Sequence, residues 1–312
     1  MTWPAKRSAY EPLLQQWTAD SPLVHLDTVH QYDGGSCYAV TVGRLDRPRL
    51  LFAVPHAHEP AGTVACLDFI CQLVTGRNLE GEATALHRDA ALDRFALTFI
   101  PDANPAGRER APEDVWDGTK LTNNAFLDIA FGTLRGGQRF PRPGRWCDEE
   151  YSLERLGIVW EQIDRMTYVE PNRDLDSSLC RLVARALQAA PCRAMLHLHQ
   201  TELENSPRDC FAILPVMFED LPADLQQANE AWAKALIAAW QAVGGNPIPE
   251  PTHLGYGEDQ LRLFRAAWAH VHQSMPTITV EVQNNNTRTP PAKQLLLSGT
   301  AIRATVDHLL AS

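Results

Sequence analysis

The sequence predicts an α/β fold: one domain over 1–312, with a central mixed, largely parallel sheet flanked by helices. Three observations carry this prediction. Short apolar runs of strand length alternate with longer segments of helical pattern, the rhythm of layered α/β proteins. Neither an internal repeat nor a shift of composition marks a boundary between domains. Four apolar runs pass directly into reactive polar residues at their carboxyl ends, the side of an open α/β sheet where ligands bind.

Residues 50–54 (LLFAV) read as a buried strand and 61–74 as the helix after it. Residues 95–100 (FALTFI) give a second strand. A helix over 179–188 is stopped by Pro191, and a third strand follows over 194–198. The Ala-rich helix over 223–243 ends at Gly244-Gly245, and a helix over 261–273 is closed by Pro276. Residues 277–282 (TITVEV) form the fourth strand, and a helix over 292–310 covers the sheet. Trp232, Trp240 and Trp268 fall where helices anchor to a core. Between Gly107 and Gly157 the rhythm breaks: Arg135, Arg139, Arg142 and Arg145 stand among Gly and Pro, as in a functional or a disordered loop.

Composition narrows the function. With 45% hydrophobic and 21% charged residues in 312, the chain can bury a core, which excludes a disordered or fibrous protein. The net charge of −10 argues against a nucleic-acid partner, which calls for a basic face. The seven cysteines form no C-x-x-C pair, so neither a disulfide framework nor a thiolate zinc site is expected. Residues 1–20 lack the pattern of a signal peptide, and no run of 18 apolar residues occurs. The expectation is a soluble, cytoplasmic protein with no membrane partner; the oligomeric state is left open. No P-loop, G-x-G-x-x-G or G-x-S-x-G is present, which removes nucleotide-binding and serine-hydrolase readings at the motif level.

The polar residues at the strand ends are suited to metal chemistry. The first strand leads into Pro55-His56-Ala57-His58-Glu59, the second into Pro101-Asp102-Ala103-Asn104-Pro105. The third carries His197 and His199, then Gln200, Thr201 and Glu202; the fourth contains Glu281, then Gln283 and Asn284. Two His and one Glu with an open position form a known catalytic zinc set. His56 and Glu59, three apart in a turn, can point at one ion, and an inward His of the third strand can complete it. Strand alternation puts His197 and His199 on the same face, so either can reach. The alternation Thr277, Thr279, Glu281 also allows Glu281 to face solvent. His270 and His272, two apart on a helix, face different ways.

These motifs resemble the zinc carboxypeptidase family and its relatives, the succinylglutamate desuccinylases and aspartoacylases. The segment from His56 through Glu59 to Pro60-Ala61-Gly62 is similar to the family's H-x-x-E-P-A-G. Asn104-Pro105-Ala106-Gly107 is similar to its Asn-Pro-Asp-Gly turn, residues 196–199 to its third-ligand strand, and Thr279-Val280-Glu281 to its Thr-x-Glu strand. The order matches from about residue 50 to the end of the chain. The resemblance implies one zinc ion held by His56, Glu59 and His199, with Glu281 as general base. His199 is favoured because the family's acidic residue two before the ligand aligns with His197, which becomes its supporting partner. His58 falls where the family varies.

The sequence departs from the family where substrate is gripped. After the Asn-Pro turn the family shows an oxyanion-stabilising arginine, then Asp-Leu-Asn-Arg-x-Phe; here Arg108 and Arg110 come early, and 121–126 read Leu-Thr-Asn-Asn-Ala-Phe. Arg108 is the candidate oxyanion group. Asn123, Asn124 and Arg110 are candidate substrate contacts, as is Tyr256, which sits where the family has a tyrosine on a mobile loop. Asn124 stands in place of the arginine that grips a terminal carboxylate; the arginine-rich loop or Asn172-Arg173 are alternative clamps. The implied function is a zinc-dependent peptidase acting on a peptide substrate at its C-terminal bond. The alternatives are an amidohydrolase of N-acyl amino acids and a metal-binding scaffold without turnover.

Overall fold

The computed structural model describes residues 3–202 and 205–312. Seven strands form its main sheet: β1 (Val24–His30), β2 (Ser36–Val42), β3 (Arg49–Ala53), β4 (Ala96–Ile100), β5 (Cys192–Thr201), β6 (Cys210–Ile213) and β7 (Thr277–Gln283). Their spatial order is β1-β2-β4-β3-β5-β7-β6. The four central strands, β4, β3, β5 and β7, run parallel; the β1–β2 hairpin and β6 add antiparallel edges. The sheet is therefore mixed and largely parallel, as the strand–helix alternation predicts.

Both faces of the sheet are covered, so its strands read as nearly continuous apolar runs. On one face Leu50, Phe52, Leu97, Phe99, Leu196, Leu198, Ile278 and Val280 pack against four helices. These are α1 (Arg7–Asp20), α2 (Pro60–Thr75), α4 (Ala223–Ala242) and α6 (Pro291–Ala311), with α3 (Ser178–Ala189) and α5 (Glu258–His272) on the opposite face. There Leu51, Ala53 and Met195 meet Leu179, Val183, Phe264 and Trp268. Each fully buried side chain of this size contributes about 1.5–3 kcal/mol of transfer free energy. Trp232 and Trp240 anchor α4 to α6, their indole N–H groups donating to Thr305 Oγ1 (3.1 Å) and the Leu297 carbonyl (2.9 Å).

Alternation decides where the polar residues go. Leu196 and Leu198 take the first face, so His197 and His199 take the second, and in β7 Ile278 and Val280 leave the second face to Thr279 and Glu281. The β5–β7 register sets His197 beside Thr279 and His199 beside Glu281.

Two glycines of the sequence motifs have steric reasons. A Cβ on Gly62 would meet Val54 Cγ2 at 2.9 Å and Leu198 Cβ at 3.1 Å, so glycine lets α2 lie directly on the sheet. A Cβ on Gly107 would lie 2.0 Å from the Ile158 carbonyl oxygen. Beside it, Asn104 caps the short helix Pro105–Glu109, accepting from Gly107 N (3.0 Å). Its amide also donates to the carbonyls of Ile158 (3.1 Å) and Val159 (2.9 Å). The Asn-Pro-Ala-Gly turn thus ties a distant loop to the end of β4.

The irregular stretch is a small substructure. Helix Asn123–Phe131 leads into a two-stranded sheet (Gly132–Leu134 with Leu153–Leu156) and a three-stranded one (Arg145–Cys147, Glu161–Gln162, Thr167–Val169). Phe131, Phe140, Trp146, Val159 and Trp160 form its own core. Sequence reasoning passed over this substructure, and α1, the β1–β2 hairpin and β6 as well. All seven cysteines are free. Among the described residues no helix is long and apolar enough to cross a membrane.

Candidate metal centre

The carboxyl ends of β3, β5 and β7 meet at one cavity of about 260 Å³. His56 leaves β3 in a turn closed by the Glu59 N–H on the His56 carbonyl (3.1 Å), and Glu59 caps α2 with Pro60 behind it. The helix start is pinned to β5, because Ala61 N donates to Gln200 Oε1 (2.8 Å). Turn and strand bring three groups together. His56 Nδ1 lies 2.9 Å from Glu59 Oε1, His199 Nδ1 lies 3.1 Å from Glu59 Oε2, and the two Nδ1 atoms are 3.2 Å apart.

Those spacings fit a cation. Bonds of about 2.0–2.1 Å in a tetrahedral set put ligand atoms roughly 3.3 Å apart. Two ring nitrogens facing each other across a buried carboxylate form a donor set seeking positive charge. His58 is also close, Nε2 lying 3.6 Å from Glu59 Oε1, and His56, His58 and Glu59 form a compact group of metal-ligating type. Its ring stacks on that of His56 and lies against Phe126 and Phe131, whereas His199 Nδ1 approaches both other groups more closely. The tighter trio is His56, Glu59 and His199. Burial holds the His58 pKa down at about 3, which keeps that imidazole neutral.

Supporting groups fix the trio. The Glu170 carboxylate bonds His56 Nε2, orienting Nδ1 toward Glu59. Burial would raise the Glu170 pKa, but Arg173, 3.6 Å away, and then His56 hold it at about 2. His197 lies behind His199 with its ring parallel at 6.2 Å and edge-on to Trp268 at 4.5 Å. Glu281 lines the cavity, partly buried, with Oε2 unpartnered. Burial, then the Glu59 carboxylate, raise its pKa well above the usual carboxylate range.

The guanidiniums of the cavity come from Arg142 and Arg173. Arg142 sits over the Phe131 ring at 4.1 Å with no hydrogen bond at Nε, and Arg173 is buried, its Nε in the ion pair with Glu170 and its Nη1 without a hydrogen bond. Asn172 joins them, its Nδ2 3.5 Å from His199 Nε2. Tyr256 also lines the cavity, stacked on Phe264 at 5.6 Å.

Four other candidates stand elsewhere. Arg108 is buried behind His56, donating to the His56 carbonyl (3.0 Å) and Thr63 Oγ1 (3.2 Å), with Asp102 at 4.0 Å. It braces the turn behind His56 and does not line the cavity. Arg110 donates to the carbonyls of Gly157 (3.4 Å) and Trp160 (3.2 Å). Asn123 bonds the Glu202 carbonyl (2.8 Å) and Asn285 (2.7 Å), and Asn124 accepts from Arg139 (3.2 Å). None of these three lines the cavity. Glu170 and Arg142 carry no motif of their own in the sequence; the signal for Glu170 is its place in Glu170-Pro171-Asn172-Arg173, beside the clamp candidates Asn172 and Arg173.

No family model and no curated protein matches this sequence. Solved structures do. A metallo-carboxypeptidase from Burkholderia cenocepacia superposes with TM-score 0.59 at 14% identity, over 97% of this chain and 68% of its own. The fold is the carboxypeptidase fold. A metallo-carboxypeptidase from Pseudomonas aeruginosa, in complex with (2-guanidinoethylmercapto)succinic acid, gives TM-score 0.60 at 13% identity, over 98% and 69% of the two chains. Carboxypeptidase A from Helicoverpa armigera gives 0.60 at 12%, over 98% and 74%. In this carboxypeptidase fold the trio and Glu281 occupy the carboxyl edge of the parallel strands, where the sheet leaves a crevice.

Proposed function

We propose that the protein is a zinc-dependent peptidase that removes a residue from the carboxyl end of a peptide. The single observation that carries this reading is the trio of His56 Nδ1, Glu59 and His199 Nδ1 within 3.4 Å of one another, in the cavity that Glu281 shares. One zinc ion held there would supply Lewis-acid polarisation of the scissile carbonyl and a water acidic enough to be deprotonated near neutral pH.

The chain's own residues do the rest. Glu281, with its proton affinity raised, takes a proton from the attacking water and returns it to the departing amine. Glu170 holds His56 in the tautomer whose Nδ1 lone pair faces Glu59. Arg173 and Asn172 receive the terminal carboxylate, because a guanidinium fork pairs with a carboxylate through two parallel hydrogen bonds. Arg142 faces the same cavity and would stabilise negative charge on the carbonyl oxygen. The seven free thiols support a reducing, cytoplasmic location.

Purified protein is expected to carry about one zinc per chain by elemental analysis, and His56→Ala to release it; a native protein with no bound metal overturns the reading. Glu281→Gln is expected to keep the zinc and lose about 10²–10⁴-fold in kcat. Peptides with a free terminal carboxylate should be cleaved, and the same peptides as amides spared. Cleavage of N-acyl amino acids alone would make the enzyme an amidohydrolase. Metal binding without any hydrolysis would leave a scaffold.

A further inference from the structure

We infer that a recess off the main cavity selects a substrate whose carboxyl-terminal residue carries a hydroxyl, serine or threonine. This deepens the peptidase reading and rests on it. The recess has a volume of about 20 Å³ and shares Asn172, Leu254, Phe264 and Thr279 with the main cavity. Of the shared residues, Asn172 stands next to Arg173 and Thr279 two residues before Glu281. A terminal residue whose carboxylate reaches Arg173 and whose amide lies beside Glu281 therefore directs its side chain inward.

Three buried polar atoms without partners belong to residues lining this recess: His197 Nε2, His272 Nδ1 and Asn172 Oδ1. Their residues are 3%, 7% and 5% exposed, and Leu214, Val216 and Trp268 supply apolar wall. A buried polar atom left unpaired costs about 1–3 kcal/mol, so a built recess of this kind calls for a partner. The volume admits one water-sized group, since a single water needs roughly 10–15 Å³. A hydroxyl donates one hydrogen bond and accepts two. One amide oxygen and two imidazole nitrogens, each of which a neutral ring can present as N–H, meet that inventory. No Lys, Arg, Asp or Glu lines the recess among the described residues, so a charged side chain would enter it without a counterion.

Threonine and valine differ by one hydroxyl in nearly the same shape, which gives the experiment. N-blocked dipeptides ending in Thr, Ser, Val, Ala, Leu, Asn or Asp are compared by kcat/KM on the zinc-loaded protein. Binding of free L-threonine and L-valine is measured alongside by calorimetry. Thr is expected to exceed Val at least tenfold in both, with Ser above Ala. His272→Leu is expected to bring the Thr/Val ratio near one while zinc content stays unchanged. Equal Thr and Val in the native protein would mean that the recess holds only a water, and the inference falls while the peptidase reading stands. A preference for Leu, Asn or Asp overturns it in the same way. Tighter binding of threonine than valine with no peptide cleaved sustains the recess and overturns the peptidase; no cleavage and no binding overturn both.

Discussion

Glu170 and Arg173 show how much of the site depends on residues outside the metal trio. Glu170 bonds one nitrogen of His56 and pairs with Arg173, so one carboxylate serves both the cation and the anion side of the cavity. Glu170→Ala is expected to weaken zinc affinity about 10–100-fold in a chelator competition, with the fold intact. Arg173→Ala should leave zinc content unchanged and lower kcat/KM roughly 10–100-fold for free-carboxylate peptides, the weight of a charge-assisted hydrogen bond. Amide-terminated peptides should barely respond. At this scale the sequence was legible where chemistry dictates spacing. His56 and Glu59 lie in one turn, and His199 and Glu281 end apolar strands. Arg142 could not be read, because four arginines share its loop and only the folded chain selects the one that faces the cavity. Arg108, the sequence's candidate for an oxyanion, is buried and donates to the His56 carbonyl, a contact that its position in the sequence does not reveal.

Elements with strong period or flanking breaks were readable in outline: β3, β4, β5 and β7 and helices α2 through α6 fall within a few residues of expectation. The substructure over 123–170 was not, because its strands are two to four residues long, too short for alternation to show. Its order comes from aromatic contacts, such as Trp146 stacked on Tyr168 at 4.4 Å, between residues distant in sequence. The Asn104–Gly107 turn is one junction between the two parts. Gly107→Ala would push a methyl group onto a backbone carbonyl that cannot move aside cheaply. The expected loss is about 3 kcal/mol or more in denaturant unfolding, against roughly 1 kcal/mol for Arg110→Ala nearby.

For the whole molecule, buried carboxyls set a pH dependence of stability that can be isolated. Glu161 is buried under α3, accepting from Ser178 N at 3.0 Å and from its hydroxyl, and burial raises its pKa to about 7. Its folded pKa lies above its unfolded one, so the folded state binds the proton more tightly. Its contribution is therefore most favourable below about pH 4.5 and is lost as pH rises toward 7. At about 1.4 kcal/mol per unit, the wild type should lose up to about 3 kcal/mol relative to Glu161→Gln between pH 4 and 8. Denaturant midpoints at several pH values check this; parallel curves for the two proteins would contradict it.

The turn that Asn104 holds has a consequence for how this architecture can change. The cation cradle is drawn from the sheet and α2, while Arg142, Glu170, Asn172 and Arg173 arrive on the aromatic-cored insert and the loop after it, which Asn104, Arg110, Glu161 and Glu170 tie to the rest of the molecule. Through Glu170, which reaches back to His56, this segment touches the cation side of the cavity as well as the side that grips substrate. A different segment grafted onto the same mooring would respecify what is gripped only if it also brought a carboxylate to His56 Nε2.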